Sequence, residues 1–265
     1  MERFKKILKY VSLFLLPTGL LVILGFAIDF NNQTQCQDIE VEIAYQNGLN
    51  FVDQEAILSI VKRECGNIKG KTVTEIDLDA IEKVLLDNPY IEDVSVYKTI
   101  GGKLKLDIGQ RVPLLRVFNM RGEDFYIDRN GFMMPVSPVY TARVPVVSGY
   151  VKAGYSPSMD LSLSYKADEV TLSERVMKDL YALGIFLRSD IFWSAWFDQI
   201  YVNSMGEFEL IPKYGGHAVE LGDIENLEDK MSRLMIFYIN GMSKAGWHTY
   251  KRLNLKYKNQ IVCSK

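Results

Sequence analysis

The side chains of this sequence with chemistry to offer are two histidines, three cysteines and scattered carboxylates. A metal site needs His, Cys, Asp or Glu at short, regular spacing. His217 follows Gly215-Gly216 and His248 follows Trp247, and neither belongs to such a pattern. Both histidines are read as surface or capping residues. Cys36, Cys65 and Cys263 are odd in number and carry no metal spacing, so no disulfide is expected. Cys65 and Cys263 fall in segments of regular structure, where a thiol packs as a small hydrophobe. Cys36 lacks the small residues that precede a lipidated cysteine.

The sequence also lacks the G-x-S-x-G elbow and the H-E-x-x-H helix that would place a nucleophile or a zinc ion. Gly101-Gly102-Lys103 imitates a fragment of a phosphate loop but lies in a hairpin with no following helix. Asp128-Arg129-Asn130-Gly131 resembles the start of a calcium loop without its distal Glu, and a hairpin turn accounts for it better. Glu92-Asp93 and Glu123-Asp124 read as solvated charge, and Met231, Met235 and Met242 as core at helical spacing. No catalytic residue, metal or cofactor is therefore expected, and the chain reads as a binding protein rather than an enzyme.

Charge places it at a membrane. The formal net charge is −2, but Arg3, Lys5, Lys6 and Lys9 against Glu2 leave the rest at about −5. A mildly acidic body argues against nucleic acid. Residues 11–28 (VSLFLLPTGLLVILGFAI) carry no charge and would span about 27 Å as a helix, enough to cross a bilayer. A cleaved signal peptide is the competing reading, with Gly25 and Ala27 as a small-residue cleavage site, but the apolar run is longer than a signal needs. A retained single anchor is expected, with residues 1–10 in the cytoplasm and everything after Asp29 outside.

After a polar tether over 29–38, residues 39–111 read as β-α-α-β-β. Ile39, Val41 and Ile43 alternate as a half-buried strand. Asp53 caps a helix facing inward through Ile57, Ile60 and Val61 and closed by Gly66. Asp77 caps a second with Ile81, Val84 and Leu85 inward, stopped at Asn88-Pro89. Val94 and Val96, then Leu104, Leu106 and Ile108, give two strands joined across Gly101-Gly102.

Residues 112–265 are mostly strands: 115–118, 125–128, 132–136, 144–147, 200–202, 208–211 and 218–221. Two helices punctuate them. One starts at the Thr171/Glu174 capping box with Val176, Leu180, Leu183 and Leu187 inward. The other carries Leu227, Met231, Leu234, Met235, Tyr238 and Met242 at helical spacing. A final strand is expected to run continuously through Leu253, Leu255, Tyr257, Ile261 and Cys263. No internal repeat is read. The fold class is α+β: one transmembrane helix, a β-α-α-β-β domain and a β-rich domain with two packing helices.

Certain segments resemble a known family. Asn88-Pro89-Tyr90-Ile91-Glu92-Asp93-Val94-Ser95-Val96 resembles the helix-to-strand junction of a POTRA domain, and Arg111-Val112-Pro113 its exit. Tyr126-Ile127-Asp128-Arg129-Asn130-Gly131-Phe132 and Val144-Pro145-Val146-Val147-Ser148-Gly149 resemble the opening of the second domain in the FtsQ/DivIB family of bacterial cell-division proteins. The resemblance implies a bitopic divisome scaffold in the inner (cytoplasmic) membrane at the septum, with its body in the periplasm. It implies partners of the FtsB/FtsL type and help in recruiting the septal peptidoglycan synthase pair FtsW and FtsI. It also implies a POTRA domain that aids recruitment and a partner-binding end at Lys256, Tyr257, Lys258 and Asn259. Two other readings are a POTRA-bearing chaperone of outer-membrane protein assembly or secretion, and a cell-wall hydrolase. A single POTRA domain without a barrel disfavours the former, and the empty search for catalytic patterns disfavours the latter.

The anchor yields the first testable prediction. A reporter active only outside the cytoplasm, fused at Lys265, is expected to be active and to sediment with membranes. A shortened soluble product would instead identify the span as a cleaved signal.

Overall fold

The computed structural model describes residues 15, 17–22, 35–45, 48–99, 101–163 and 170–265. Most of the expected span, 11–28, and most of the tether lie outside them. Leu15 and residues 17–22 are helical, and among the described residues no helix is long and apolar enough to cross a membrane. The chain divides into two compact units, 1–110 and 111–265.

The first unit contains β1 (Asp38–Ala44), α1 (Gln54–Cys65), α2 (Leu78–Leu86), β2 (Ile91–Lys98) and β3 (Lys103–Gln110). The sheet order is β1-β3-β2, with β1 parallel and β2 antiparallel to the central β3. The caps are those the sequence announces: Asp53 accepts from Ala56 N at 2.8 Å and Asp77 from Ala80 N at 3.0 Å. Ile57, Val61, Ile81 and Leu85 from the helices close over Val96, Leu104, Leu106 and Ile108. Each such buried side chain contributes about 1.5–3 kcal/mol. The other face is polar, with Lys103 paired to Glu40 at 2.6 Å and Lys105 to Glu42 at 3.3 Å. The fold reaches into the expected tether. Cys36 is buried in this core, and its backbone bonds to Lys71 and Gly70. A polar neighbourhood hid this one inward-facing thiol.

The second unit is one sheet in the order β12-β11-β10-β9-β8-β7-β4-β5-β6. Its strands are β4 (Pro113–Phe118), β5 (Asp124–Asp128), β6 (Met133–Pro135), β7 (Val146–Gly149), β8 (Phe197–Val202), β9 (Phe208–Pro212), β10 (Ala218–Gly222), β11 (Arg252–Asn254) and β12 (Val262–Ser264). Helix α3 (Leu172–Ser189), with the short α4 (Ile191–Trp196), connects β7 to its parallel neighbour β8. Helix α5 (Leu227–Phe237) continues into a π-helical turn (Tyr238–Met242) and connects β10 to the parallel β11. Both crossovers contribute to one core: Val176, Leu180, Leu183 and Leu187 from α3, and Met231 and Leu234 from α5. Gly184 in α3 has a packing reason, since a Cβ there would lie 2.8 Å from Leu114 Cδ2. The strand expected at 144–147 lies at 146–149. Pro145 has no N–H for the ladder, though its carbonyl accepts from Arg116 N at 3.0 Å. Helix α4 was not anticipated; Asp190 caps it, accepting from Phe192 N at 2.8 Å.

A repeat does exist, in the turns. Asn119-Met120-Arg121-Gly122-Glu123 joins β4 to β5, and Asn203-Ser204-Met205-Gly206-Glu207 joins β8 to β9. In each, the Asn Oδ1 accepts from two backbone N–H groups and its Nδ2 donates to the Glu. Gly122 and Gly206 share φ of 79°. Both β4 and β8 run parallel to β7, on opposite sides of it, so the two hairpins are related by a two-fold rotation about β7. That rotation turns the sheet over while the core stays on one side. The inward residues therefore shift by one: Val117 lies two positions before the first Asn, Val202 one before the second. Strand patterns in opposite phase concealed the repeat.

Where the unit begins, Asp128 is fully buried. Its Oδ1 accepts from Asn130 N at 2.9 Å and Phe132 N at 2.8 Å, and its Oδ2 accepts from Arg111 Nη1 at 2.7 Å. Arg129 N donates to Val112 O at 2.9 Å beside it. The two motifs Arg111-Val112-Pro113 and Asp128-Arg129-Asn130-Gly131 are thus one bonded unit.

His217 is not at the surface. It is buried, with Nε2 2.9 Å from the Tyr238 hydroxyl, among a cluster of aromatic rings that includes Trp193, Trp196 and Trp247. The turn glycines before it suggested exposure, but the π-helical turn brings Tyr238 in over it. Burial holds its pKa below the ordinary 6.5 and pushes the Tyr238 phenol well up. His248 is exposed, its ring 5.9 Å from that of Tyr214.

Two predictions follow from this core, both read by tryptophan fluorescence, because Trp193, Trp196 and Trp247 are the three tryptophans of the chain and all lie in the second unit. Arg111→Ala leaves the Asp128 carboxylate buried without its cation and is expected to cost about 3 kcal/mol or more in urea unfolding. Asp128→Asn, which removes the charge as well, is expected to cost less; an unchanged midpoint for Arg111→Ala would contradict the assigned role. Burial makes the folded His217 the weaker base, so the unfolded chain takes up the proton first as pH falls through 6.5. Stability is expected to be full above that value and to decline below it, with His217→Gln flattening the decline that sets in below 6.5. Parallel curves for the two proteins would show that another group governs the decline.

Candidate functional site

The final strand expected through 253–263 is a hairpin instead. β11 and β12 pair antiparallel, Arg252 opposite Ser264 and Asn254 opposite Val262, and residues 255–261 connect them. Two features turn the chain. Asn259 sits in the left-handed region at φ 57°, a conformation Asn tolerates. Arg233 of α5 draws three loop carbonyls to one guanidinium: Tyr257 O and Gln260 O at 2.8 Å and Leu255 O at 3.4 Å. Those carbonyls point at a helix, so they cannot join a ladder. Alternation of apolar and polar residues does not reveal a reversal, and the single local signal was Asn259 itself.

The four site residues therefore lie on this turn, not on an edge strand. Lys256 is engaged: its backbone N–H donates to Asn254 Oδ1 at 2.9 Å, and its ammonium lies 3.3 Å from Glu207 Oε2. Its stem runs so close to Gly222 that a Cβ there would meet Lys256 Cγ at 2.7 Å. Glu207 belongs to the second Asn–Glu turn, where the Asn203 amide, aided by Lys256 and opposed by burial, holds its carboxyl below the usual range. Of the two lysines in the implied partner-binding end, Lys256 is thus engaged in an ion pair. Tyr257 is 50% exposed, and Lys258 and Asn259 are exposed.

Beyond the turn, β12 ends the sheet, with no strand on its outer side among the described residues. Val262 is 45% exposed and Ser264 is exposed, while Cys263 packs on the core. The opposite edge is closed. β6 ends in Pro135, and beside it Phe132 bridges Asp160 while Gly131 O accepts from Leu161 N at 2.9 Å. Helix α5, which sends Arg233 to the turn, exposes Ile236 by 60%, and the π-helical turn after it exposes Ile239 by 61%. The arrangement offers what strand addition uses: unpaired backbone groups on a short edge strand, with an exposed aromatic and a cation at its near end. The sequence located these residues through the resemblance but missed Arg233, which lies 24 residues before Tyr257 and has no local pattern linking it there. Among the described residues no group of three or more His, Cys, Asp or Glu is placed to hold a metal ion.

Comparison with known proteins gives the same two-part division. Residues 34–109 match a POTRA-like domain. A relative, the cell division protein DivIB of Clostridium botulinum, is 26% identical over 233 residues, covering 86% of this chain and 80% of its own. Residues 112–264, more than half of the chain, match the family described as FtsQ/DivIB, C-terminal related. The chain belongs to the FtsQ/DivIB family.

Proposed function

We propose that this chain is a bitopic scaffold of bacterial cell division. Its basic N-terminus lies in the cytoplasm, one helix crosses the cytoplasmic membrane, and both folded units lie outside it at the septum. It binds FtsB/FtsL-type bitopic division proteins and helps bring the FtsW/FtsI septal synthase to its site of work. Family membership and the name of the clostridial relative support the division role. The observation that carries the binding role is the β12 edge of the large sheet, unpaired among the described residues and lying beside Tyr257 and Lys258. A partner segment added along β12 would gain main-chain hydrogen bonds, and Tyr257 would supply the anchor that aromatics commonly provide at interfaces. Lys258, exposed and in no ion pair among the described residues, favours an acidic segment.

The test uses Tyr257→Ala and Lys258→Glu, each with an unchanged melting temperature, titrated against the extracytoplasmic part of the FtsB-type protein from the same organism. Each is expected to weaken binding by about tenfold, as loss of an interface anchor or inversion of a steering charge does. Full affinity in both folded variants would refute docking at this end. Lys256→Glu is a poorer probe, because it sets two carboxylates together at Glu207 and perturbs the fold itself.

A further inference from the structure

Arg233 has two sets of partners. Its Nε lies 3.0 Å from Asp229 Oδ2 one helical turn earlier, and its two Nη atoms reach the carbonyls of Leu255, Tyr257 and Gln260 on another element. An i,i+4 ion pair alone would leave the guanidinium on the helix surface and contribute little. Here the pair aims it. The Arg233 side chain is only 17% exposed, whereas Asp229 is 62% exposed, so the carboxylate orients the fork from the solvent side. The fork then gathers three carbonyls that face no strand. Gln260, the last of them, lies two residues before β12 begins at Val262. The path of the turn, and hence the register at which β12 enters the sheet, passes through this one side chain.

We propose that Arg233 is a positioning residue for partner docking: it closes the 255–261 turn and so presents β12 and Tyr257 in the conformation that receives an added strand. The inference rests on the docking reading above. Without Arg233 the three carbonyls turn to water, the turn loosens, and ordering it again is charged against binding. Lysine cannot replace it. An ammonium is a compact point charge without the planar fork, and it cannot hold separated carbonyls while pairing with Asp229.

The full-length chain in detergent, with Arg233→Lys, Arg233→Ala and the milder Asp229→Asn, tests this. The probe is again the extracytoplasmic part of the FtsB-type protein, and amide hydrogen exchange is followed over residues 256–264. Arg233→Lys and Arg233→Ala are expected to speed exchange there by about tenfold or more without changing it in β8 to β10. Both are expected to weaken binding by about tenfold, and Asp229→Asn by less. Exchange that stays slow in Arg233→Ala overturns the positioning role, as does faster exchange with full affinity. Affinity restored by Arg233→Lys would show that charge, not the fork, is what matters. If Tyr257→Ala and Lys258→Glu bind weakly while the Arg233 variants bind fully, the inference fails and the docking reading stands. If all of them bind fully, the docking reading fails. Should Arg233→Ala unfold, Asp229→Asn carries the same comparison.

Discussion

A carboxylate with no solvent around it constrains the start of the second unit. Asp128 accepts two backbone N–H bonds and one from Arg111, and each is required because a buried charge without partners is costly. Its Oδ1 shapes the turn between β5 and β6, while its Oδ2 holds Arg111, the first residue of the unit. The guanidinium of Arg111 lies 5.4 Å over the Phe132 ring, so the same group that neutralises the acid also packs the turn. Further along β4 and β5, Arg116 pairs with Asp124 and lies over Phe118 and Tyr126. Charge and aromatic faces thereby order a region that the main core does not reach.

From that start the sheet extends by two kinds of step. Hairpins carry it outward from β7 on both sides, each closed by an Asn amide and a Glu carboxylate clamped across a tight turn. Helical crossovers supply the β7–β8 and β10–β11 parallel steps and cover the inner face. In the first hairpin the turn Glu also accepts from Tyr155 N; in the second it takes the Lys256 ammonium. One turn chemistry thus serves a loop on one side and the candidate site on the other.

Legibility in the sequence followed the range of the forces involved. Helix starts were readable because caps act within four residues: Asp53, Asp77 and the Thr171/Glu174 box all stand where expected. Most strands of the meander were readable from alternation. The failures have longer-range causes. His217 is buried by Tyr238, which follows it by 21 residues across a helical crossover. The break in the last strand depends on Arg233, whose fork acts across more than twenty residues. Cys36 is buried by strands and helices that come later in the chain. The candidate site was named from family resemblance alone, and the turn that shapes it had no local signal beyond Asn259.

The two borders of the large sheet differ, and the difference limits how chains of this kind can join. The β6 border ends in Pro135 and has the 160–161 segment bonded just before it, while among the described residues the β12 border is bare. A molecule with two bare borders could propagate end to end into a filament. With a single bare border, edge pairing is finished after one event, whether the newcomer is a foreign strand or a second copy. Assembly through the β12 border alone would therefore stop at one partner, and a chain whose border is taken would be closed to a competitor for it.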